Sequence, residues 1–196
     1  CVGEDFTITI TVNPEPQIDP ISEVICSDIG SFDITPVDGT NGIVPVGTTY
    51  TWTVDDASNV ITGEDAGTGS SISDSDLFNT TSSPADLVYT VTPSTAEGCV
   101  GEDFTITITV NPEPQIDPIS EVICSDIGSF DITPVDGTNG IVPVGTTYTW
   151  TVDDASNVIT GEDAGTGSSI SDSDLFNTTS SPADLVYTVT PSTAEG

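Results

Sequence analysis

The stretch that decides the fold is FTITITV at residues 6–12, which returns unchanged at residues 104–110. Every second residue is apolar and every residue between is threonine. This is the period of a β-strand with one buried face and one wet face. The threonine hydroxyls are expected to meet water, while the phenylalanine, isoleucines and valine point inward. The pattern therefore predicts a strand in each copy.

This stretch belongs to a repeat that covers the whole chain. Residues 1–98 and 99–196 are the same string, without one substitution. A period of 98 residues is too long for a solenoid unit and is the size of one β-sandwich domain. The chain is therefore predicted to be a tandem array of independent domains.

Alternation of period two recurs through the rest of the repeat, for example in TYTWTV at 49–54 and in LVYTVT at 87–92. No window of useful length has the 3.6 period of a helix. Seven short strands, with a tryptophan on the third, predict an all-β fold of tandem Ig-like β-sandwich domains of 98 residues each, with little or no helix. The predicted strands are 17–26, 31–37, 48–54, 58–62, 70–78, 85–92 and 102–110. The predicted core residues are Trp52, Tyr50, Tyr89, Phe32 and Phe104.

The domain boundaries are expected to be out of phase with the printed repeat. The link NPEPQ at 13–17 is stiff and lacks two amide donors, which suits a domain junction better than a hairpin. Residues 1–13 are then the last strand of a preceding repeat, 14–111 a complete domain, and 112–196 a second domain without its last strand. Either the segment belongs to a longer repetitive polypeptide, or strand 4–12 fills the gap in a neighbouring subunit by strand addition. Both alternatives give a filament, and the unbroken identical repeat favours the long covalent chain.

The charge excludes several classes of function. The 196 residues include 32 acidic side chains and no Lys, Arg or His, a net charge of -32. With no cation to hold phosphate, neither nucleic-acid binding nor attraction to an anionic membrane is expected, and no apolar stretch is long enough for membrane insertion. Without His or Lys there is no Ser-His or Cys-His dyad and no Schiff base. No catalytic residue is assigned, no cofactor is required, and the protein is not predicted to be an enzyme.

The cysteines Cys1, Cys26, Cys99 and Cys124 fall at two positions per repeat. Their even number and the lack of a CxxC spacing favour disulfides over metal ligands or redox sites. One prediction pairs Cys26 with Cys99 inside a domain, leaving Cys1 and Cys124 to pair outside this segment. In a strict Ig topology, however, these two positions lie at opposite ends of the sandwich. Bonds between neighbouring domains or between chains therefore stay open as alternatives.

Three acidic clusters suggest a calcium site. They fall in the middle of the repeat, where loops from one end of a sandwich could converge, and Ca²⁺ takes six to eight oxygen ligands. None matches an EF-hand loop, and the alternative is a solvated anionic surface that keeps filaments apart. A glycosidase-like carboxylate pair is a weaker interpretation, because the acids lie in turn-rich segments. The candidate ligands are Asp55, Asp56, Glu64, Asp65, Asp74 and Asp76.

Three segments resemble the PKD-like and Ig-like repeats of giant cell-surface adhesins of Bacteroidetes, the gliding-motility type exported by type IX secretion. They are VICSD at 24–28, YTWTV at 50–54 and YTVTPSTAEGCVGEDFTITITVNPEP at 89–114. The resemblance implies a β-sandwich, an extracellular, cell-surface location and no catalytic residues. In such a bacterial protein the N-glycan sequons at 79–81 and 177–179 are interpreted as accidental.

The leading hypothesis is a non-catalytic module of the shaft of an extracellular filament or giant adhesin. Its partners would be neighbouring repeats of the same polypeptide or identical subunits. The alternative hypothesis is a calcium-dependent adhesive module that binds a glycan or a partner surface.

Overall fold

The computed structural model describes residues 1–27, 29–125 and 128–194. These residues form strands and turns with no helix, so the predicted all-β fold class of tandem Ig-like sandwiches is confirmed. The strands of the first domain are β1 (Gln17–Ile18), β2 (Ile21–Cys26), β3 (Phe32–Ile34), β4 (Gly42–Ile43), β5 (Thr49–Asp55), β6 (Ile61–Thr62), β7 (Gly67–Gly69), β8 (Ile72–Asp74), β9 (Phe78–Asn79), β10 (Ala85–Ser94) and β11 (Phe104–Asn111).

The main sheet of the first domain has five strands in the order β2-β11-β10-β5-β7. β11, the copy of the alternating stretch in the second repeat, lies inside this sheet. It is antiparallel to β10 on one side and parallel to β2 on the other, with Ile106 opposite Ile21 and Asn111 opposite Cys26. The strand that closes the domain is therefore the one that holds β2 to the rest of the sheet.

The opposing layer consists of the short ladders β1–β4, β3–β8 and β6–β9. The core lies between the two layers, and all five predicted core aromatics are buried in it. Two pairs of these rings meet edge to face, with centroids 5.2 Å apart for Phe32 and Tyr89 and 6.4 Å apart for Tyr50 and Phe104. Such contacts are the preferred geometry of aromatic pairs in protein cores.

The prediction of one strand over residues 17–26 was wrong, because the segment divides into β1 and β2. Between them lies Pro20, which has no amide to donate to a ladder. β1 pairs with β4, whereas β2 pairs with β11, so the chain changes partners at this proline.

The predicted strand 70–78 likewise divides into β8 and β9, and Asp76 between them has a φ of 61°, in the left-handed region. The predicted strands 31–37 and 58–62 shorten to β3 and β6. The short strands β4 and β7 were not predicted at all.

The second domain repeats most of the first. Its strands are β12 (Gln115–Ile116), β13 (Phe130–Ile132), β14 (Gly140–Ile141), β15 (Thr147–Asp153), β16 (Ile159–Thr160), β17 (Gly165–Gly167), β18 (Ile170–Asp172), β19 (Phe176–Asn177) and β20 (Val186–Ser192). The three short ladders recur, but the main sheet is reduced to β17-β15-β20. Residues 119–124, the copy of β2, form no strand.

The N-terminal copy of the alternating stretch is also not a strand. Its apolar side chains are 74% to 86% exposed, whereas their counterparts in β11 are 0% to 4% exposed. A strand needs a ladder partner for its backbone groups, and residues 6–13 have none in the described part of the chain. One sequence thus has two environments within one molecule.

Candidate functional site

Asp74, at the end of β8, joins a loop to the main sheet through its carboxylate. Its Oδ2 atom accepts hydrogen bonds from the Tyr89 hydroxyl and from the Asp65 backbone amide, both at 2.8 Å. Its Oδ1 atom accepts one from the Ser75 amide, also at 2.8 Å. The structure therefore brings Asp65 and Asp74 together, but through a backbone amide of one and the carboxylate of the other. The carboxylate of Asp74 closes a loop onto the sheet.

The tyrosine in this cluster is held in its protonated form. Burial raises the pKa of Tyr89, and the hydrogen bond to Asp74 and the nearby carboxylates of Glu64 and Asp65 raise it further. The hydroxyl therefore stays a donor to Asp74 at neutral pH. In the second domain the Tyr187 hydroxyl donates to Asp172 at 2.6 Å, and the pKa of Tyr187 is raised for the same reasons.

The predicted ligand Asp56 has a different structural role. Its Oδ1 atom accepts a hydrogen bond from the Ser58 amide at 3.0 Å, and its Oδ2 atom accepts one from the Ile61 amide at 2.9 Å. Burial pushes the pKa of Asp56 upward, but the hydrogen bonds from Ser58, Ile61 and Asn59 outweigh it, and the pKa is lowered. The carboxylate thus organises the turn that leads into β6.

The six predicted calcium ligands do not form one site in the described residues. Asp55, Asp65 and Asp76 are exposed, while Asp56, Glu64 and Asp74 are half-buried. No group of three or more carboxylates, cysteines or histidines in the described part of the chain is arranged to hold a metal ion. The oxygens of Asp56 and Asp74 already accept internal hydrogen bonds. Calcium binding by these residues stays a prediction.

The structure does not bring Cys26 and Cys99 within bonding distance. Cys26 lies opposite Asn111, the last residue of β11, whereas Cys99 precedes Phe104, the first residue of the same strand. An eight-residue strand is about 26 Å long, and the Cα atoms of a disulfide lie within about 7 Å of each other. The predicted intradomain disulfide is therefore corrected: the two cysteines belong to opposite ends of the sheet. Cys1 and Cys124 are both exposed.

Sequence reasoning missed the polar group that fastens the last strand, formed by Ser27 and Asn79. The Ser27 hydroxyl donates a hydrogen bond to the backbone carbonyl of Asn111 at 3.0 Å, and it accepts one from the backbone amide of Asn79 at 3.0 Å. The Asn79 side chain donates to the carbonyls of Val110 and Ser83, each at 2.8 Å. The only sequence signal was the NTT sequon, and Asn79 is fully buried, so a folded first domain does not offer it for glycosylation.

The second domain has the same polar residues without the strand that they fasten. Asn177 keeps the hydrogen bonds with Ser125 and Ser181, at 3.0 and 2.9 Å, but no described residue takes the place of Val110. The apolar row on β10 is fully buried, while its counterpart in the second domain is half-buried: Leu185, Tyr187 and Val189. The sheet of the second domain is therefore open on the β20 side in the described part of the chain.

These features define a tandem pair of acidic, all-β sandwich domains of the Ig-like class. The PKD-like domain model matches residues 23–114 and 121–196, and the chain belongs to this family. Domains of this kind are structural or adhesive modules, generally non-catalytic and typically extracellular. Comparison with curated proteins found no match. The described residues contain no helix that could span a membrane.

Proposed function

We propose that the repeat is a non-catalytic structural module whose tandem copies form the shaft of an extracellular surface filament or giant adhesin, of the gliding-adhesin type that the sequence resembles. The observation that carries the proposal is the junction between the domains. β11 ends at Asn111 and β12 begins at Gln115, so only residues 112–114 separate a strand inside one sheet from the first strand of the next domain. Two of these three residues are proline, which makes the link short and stiff.

The topology supports a load-bearing role. β2 follows the first strand of the domain and β11 is the last strand, and the two run parallel with six paired positions. Tension on the two ends of the domain pulls parallel neighbours in opposite directions along their length. The hydrogen bonds between β2 and β11 are then loaded together in shear, and not one after another. This arrangement resists extension better than a hairpin that opens from one end.

The contact between the domains also supports a stiff shaft. The Ser82 hydroxyl of the first domain donates a hydrogen bond to Asp136 of the second at 2.7 Å. The Val142 amide, together with Ser82, lowers the pKa of Asp136, so this carboxylate stays ionised as an acceptor. A side-chain bond beside a link with two prolines limits bending at the junction.

The composition suits an exposed polymer. Half of the 32 acidic residues, 16, fall in each repeat, so neighbouring filaments repel one another within a Debye length of about 8 Å. Without Lys or Arg the chain offers trypsin-like proteases no cleavage site. Both properties favour long, separate and durable fibres outside the cell.

The proposal is tested by imaging and by surface labelling. Antibodies to the repeat are expected to label intact cells of the source organism, and negative-stain images of the labelled material should show beaded or fibrous structures. Labelling only after the cells are permeabilised, or compact dispersed particles with no fibrous form, would contradict it. Antibodies absorbed with the purified 196-residue chain are the control for specific labelling.

A further inference from the structure

We propose that disulfide bonds join consecutive domains of the array, each from Cys26 of one domain to the Cys99 position of the domain that follows it. The inference rests on the proposed function, because two consecutive domains of one covalent chain supply the two thiols. It goes beyond that function because it assigns the cysteines and the path along which the shaft carries tension.

The two cysteine positions lie at opposite ends of a domain. Cys26 is the last residue of β2 and lies opposite Asn111, beside the link to the next domain. Cys99 lies in the turn between β10 and β11, at the other end of the sheet. Gly101 in the same turn packs against the backbone of Pro16, in the link that enters the domain. In a stack of identical domains, each junction therefore has one cysteine of each kind.

The junction within this chain shows how close the two positions come. A single cleft of about 240 Å³ is lined by Asn111 of the first domain and by Thr193 of the second. Asn111 is the β11 neighbour of Cys26, and adjacent strands lie about 5 Å apart.

On the other side of the cleft, Thr193 is the counterpart of Thr95, which holds the cysteine turn of the first domain. The Thr95 amide donates a hydrogen bond to the Cys99 carbonyl at 2.9 Å, and the Thr95 hydroxyl accepts one from the Cys99 amide at 3.2 Å. The same turn in the second domain brings its cysteine position to the cleft that Asn111 and Cys26 share.

Both thiols lie where a bond to a neighbouring domain can form. Ile25 and Ser27 are buried, whereas Cys26 between them is half-buried. Successive side chains of a strand point to opposite faces, so Cys26 points away from the core. Cys99 is also half-buried. Neither sulfur needs to leave the interior of a domain to reach its partner.

The bond forms by oxidation. One S–S bond replaces two S–H bonds, and the two thiols lose two protons and two electrons. The electrons pass by thiol–disulfide exchange to a protein disulfide, which is reduced to two thiols. Such partners operate in the oxidising compartments through which exported proteins pass, and the bond then persists outside the cell.

These bonds change the path of tension through a domain. β2 and β11 are parallel, and both run from the end that faces the preceding domain to the end that faces the next. One covalent track enters through the link and β1, follows β2 and leaves through Cys26. The other enters through Cys99, follows β11 and leaves through residues 112–114. Tension is then shared by two covalent strands that pull side by side, and the shear between β2 and β11 is relieved.

Most of each domain is shielded from the load. In either track, the chain under tension is the stretch from Cys99 to Cys124, which is 25 residues for every two domains. The 73 residues from Cys26 to Cys99 lie outside both tracks. Twenty-five extended residues reach about 90 Å, whereas the 196 residues of two unbonded domains reach about 700 Å. A bonded shaft therefore keeps its length even when its domains unfold.

Pulling single arrays isolated from the source organism tests the pairing. Identical repeats give the same linked peptides for bonds within and between domains, but the two pairings differ in extension. Oxidised arrays should reach about 90 Å for every two domains, and the same arrays in dithiothreitol about 700 Å. An oxidised length of about 180 Å would indicate bonds inside each domain and would overturn the proposal. An extension that the reductant does not change would overturn it too.

Two matched variants test the same contact in a short chain. The parent chain lacks residues 1–12 and carries CVGEDFTITITVN, the opening of the repeat, after Gly196. Cys99→Ser with Cys124→Ser leaves Cys26 and the added cysteine. In the control, Cys124→Ser and a serine in place of the added cysteine leave Cys26 and Cys99.

Both variants are oxidised with glutathione disulfide, alkylated and weighed by mass spectrometry. One bond within the chain is expected in the first variant, and two alkylated thiols in the control. Equal bonding in the two variants, or bonds only between separate chains, would contradict the assigned pairing.

These outcomes separate the inference from the proposed function. Surface fibres that are labelled as expected, but whose arrays extend to their full length without reductant, would keep the shaft and remove the bonds. Absence of surface labelling would instead remove the array itself, whatever the cysteines do in the short chain.

Discussion

The side-chain amide of Asn79 donates a 2.8 Å hydrogen bond to the backbone carbonyl of Val110, and both residues are fully buried. The bond joins β9 on one layer to β11 on the other. Asn177 occupies the same position in the second repeat, where no described residue replaces Val110. Two identical turns in one molecule therefore differ in whether the closing strand is present.

Replacing Asn79 by alanine should destabilise the first domain by about 2–4 kcal/mol, because buried carbonyls lose their donors. Asn177→Ala should cost the second domain at least about 1 kcal/mol less, since its amide binds one carbonyl fewer. Urea unfolding followed by tryptophan fluorescence measures both values. Trp52 and Trp150 lie in different domains, so Trp150→Phe leaves a reporter of the first domain and Trp52→Phe one of the second. Equal losses in the two domains would contradict the assigned role of Val110.

All four tyrosines should resist ionisation while the domains are folded. Burial raises the pKa of Tyr50, Tyr89, Tyr148 and Tyr187 above the ordinary value of 10.0. A raised folded-state pKa contributes stability that is fully present below pH 10 and is lost as the pH rises above it. Stability should fall by up to about 1.4 kcal/mol per pH unit for each tyrosine kept neutral.

The measurement for this prediction is a titration of tyrosinate absorbance alongside circular dichroism. Absorbance should rise together with unfolding and not before it. Tyr89→Phe removes one ionising group, so the stability of the first domain should fall less steeply at alkaline pH. The same change should lower the free energy of unfolding by about 1 kcal/mol at neutral pH, because the hydrogen bond to Asp74 is lost. A smooth titration of all tyrosines near pH 10 in the folded protein would be inconsistent with their burial.

The stability of the first domain should depend on the ionisation of Asp56, whose carboxylate holds the turn before β6, and should therefore fall in acid. The pKa of Asp56 is lowered, so the stability it contributes is present above the ordinary carboxyl pKa of 3.8 and is lost as the pH falls below that value. At neutral pH, Asp56→Ala should cost about 0.5–1 kcal/mol, a modest amount because Asp56 is only half-buried and solvent screens its carboxylate. Urea unfolding at several pH values checks this. Asp55→Ala is the control, because Asp55 is exposed, and the two variants should converge in acid. A constant difference between them down to strongly acidic pH would argue against the Asp56 turn.

Calcium should leave the melting temperature nearly unchanged. The best-placed carboxylate, that of Asp74, already accepts bonds from Tyr89, Asp65 and Ser75, so a cation would have to displace them. Calorimetry with millimolar calcium and with chelator tests this, and magnesium controls for screening of the net charge. A rise specific to calcium that disappears in Asp74→Asn would support the adhesive alternative and contradict the structural role given to Asp74.

The sequence predicted the closing strand and the aromatic core because both depend on local alternation. FTITITV has the period of a half-buried strand, and the copy at 104–110 falls within β11. The buried rings of Tyr50 and Trp52 follow the same rule on β5. One face of a sheet can thus be deduced residue by residue.

Local alternation does not predict which strands pair with one another, nor a glycine-rich strand such as β7. Nothing in the alternation of residues 17–26 says that Pro20 separates two ladders, or that β2 runs parallel to β11. β7 has the sequence GTG, and the reason for its glycines is steric, because a Cβ on Gly67 would clash with the Trp52 ring. The local pattern also did not show that the carboxylate oxygens of Asp56 and Asp74 accept hydrogen bonds from backbone amides, which the calcium hypothesis did not consider. These features depend on distant contacts that a local pattern does not contain.

The most direct measurement adds residues CVGEDFTITITVN after Gly196 and removes residues 1–12, so that the second domain receives its closing strand in cis. Scanning calorimetry of the chain shortened by residues 1–12 should show two transitions, the lower one from the second domain. In the extended chain the lower transition should move up to coincide with that of the first domain, and Ile→Asp at the position equivalent to Ile8 should abolish this shift. Two separate transitions that stay unchanged after the extension would contradict the claim that each domain is completed by the strand that opens the next repeat.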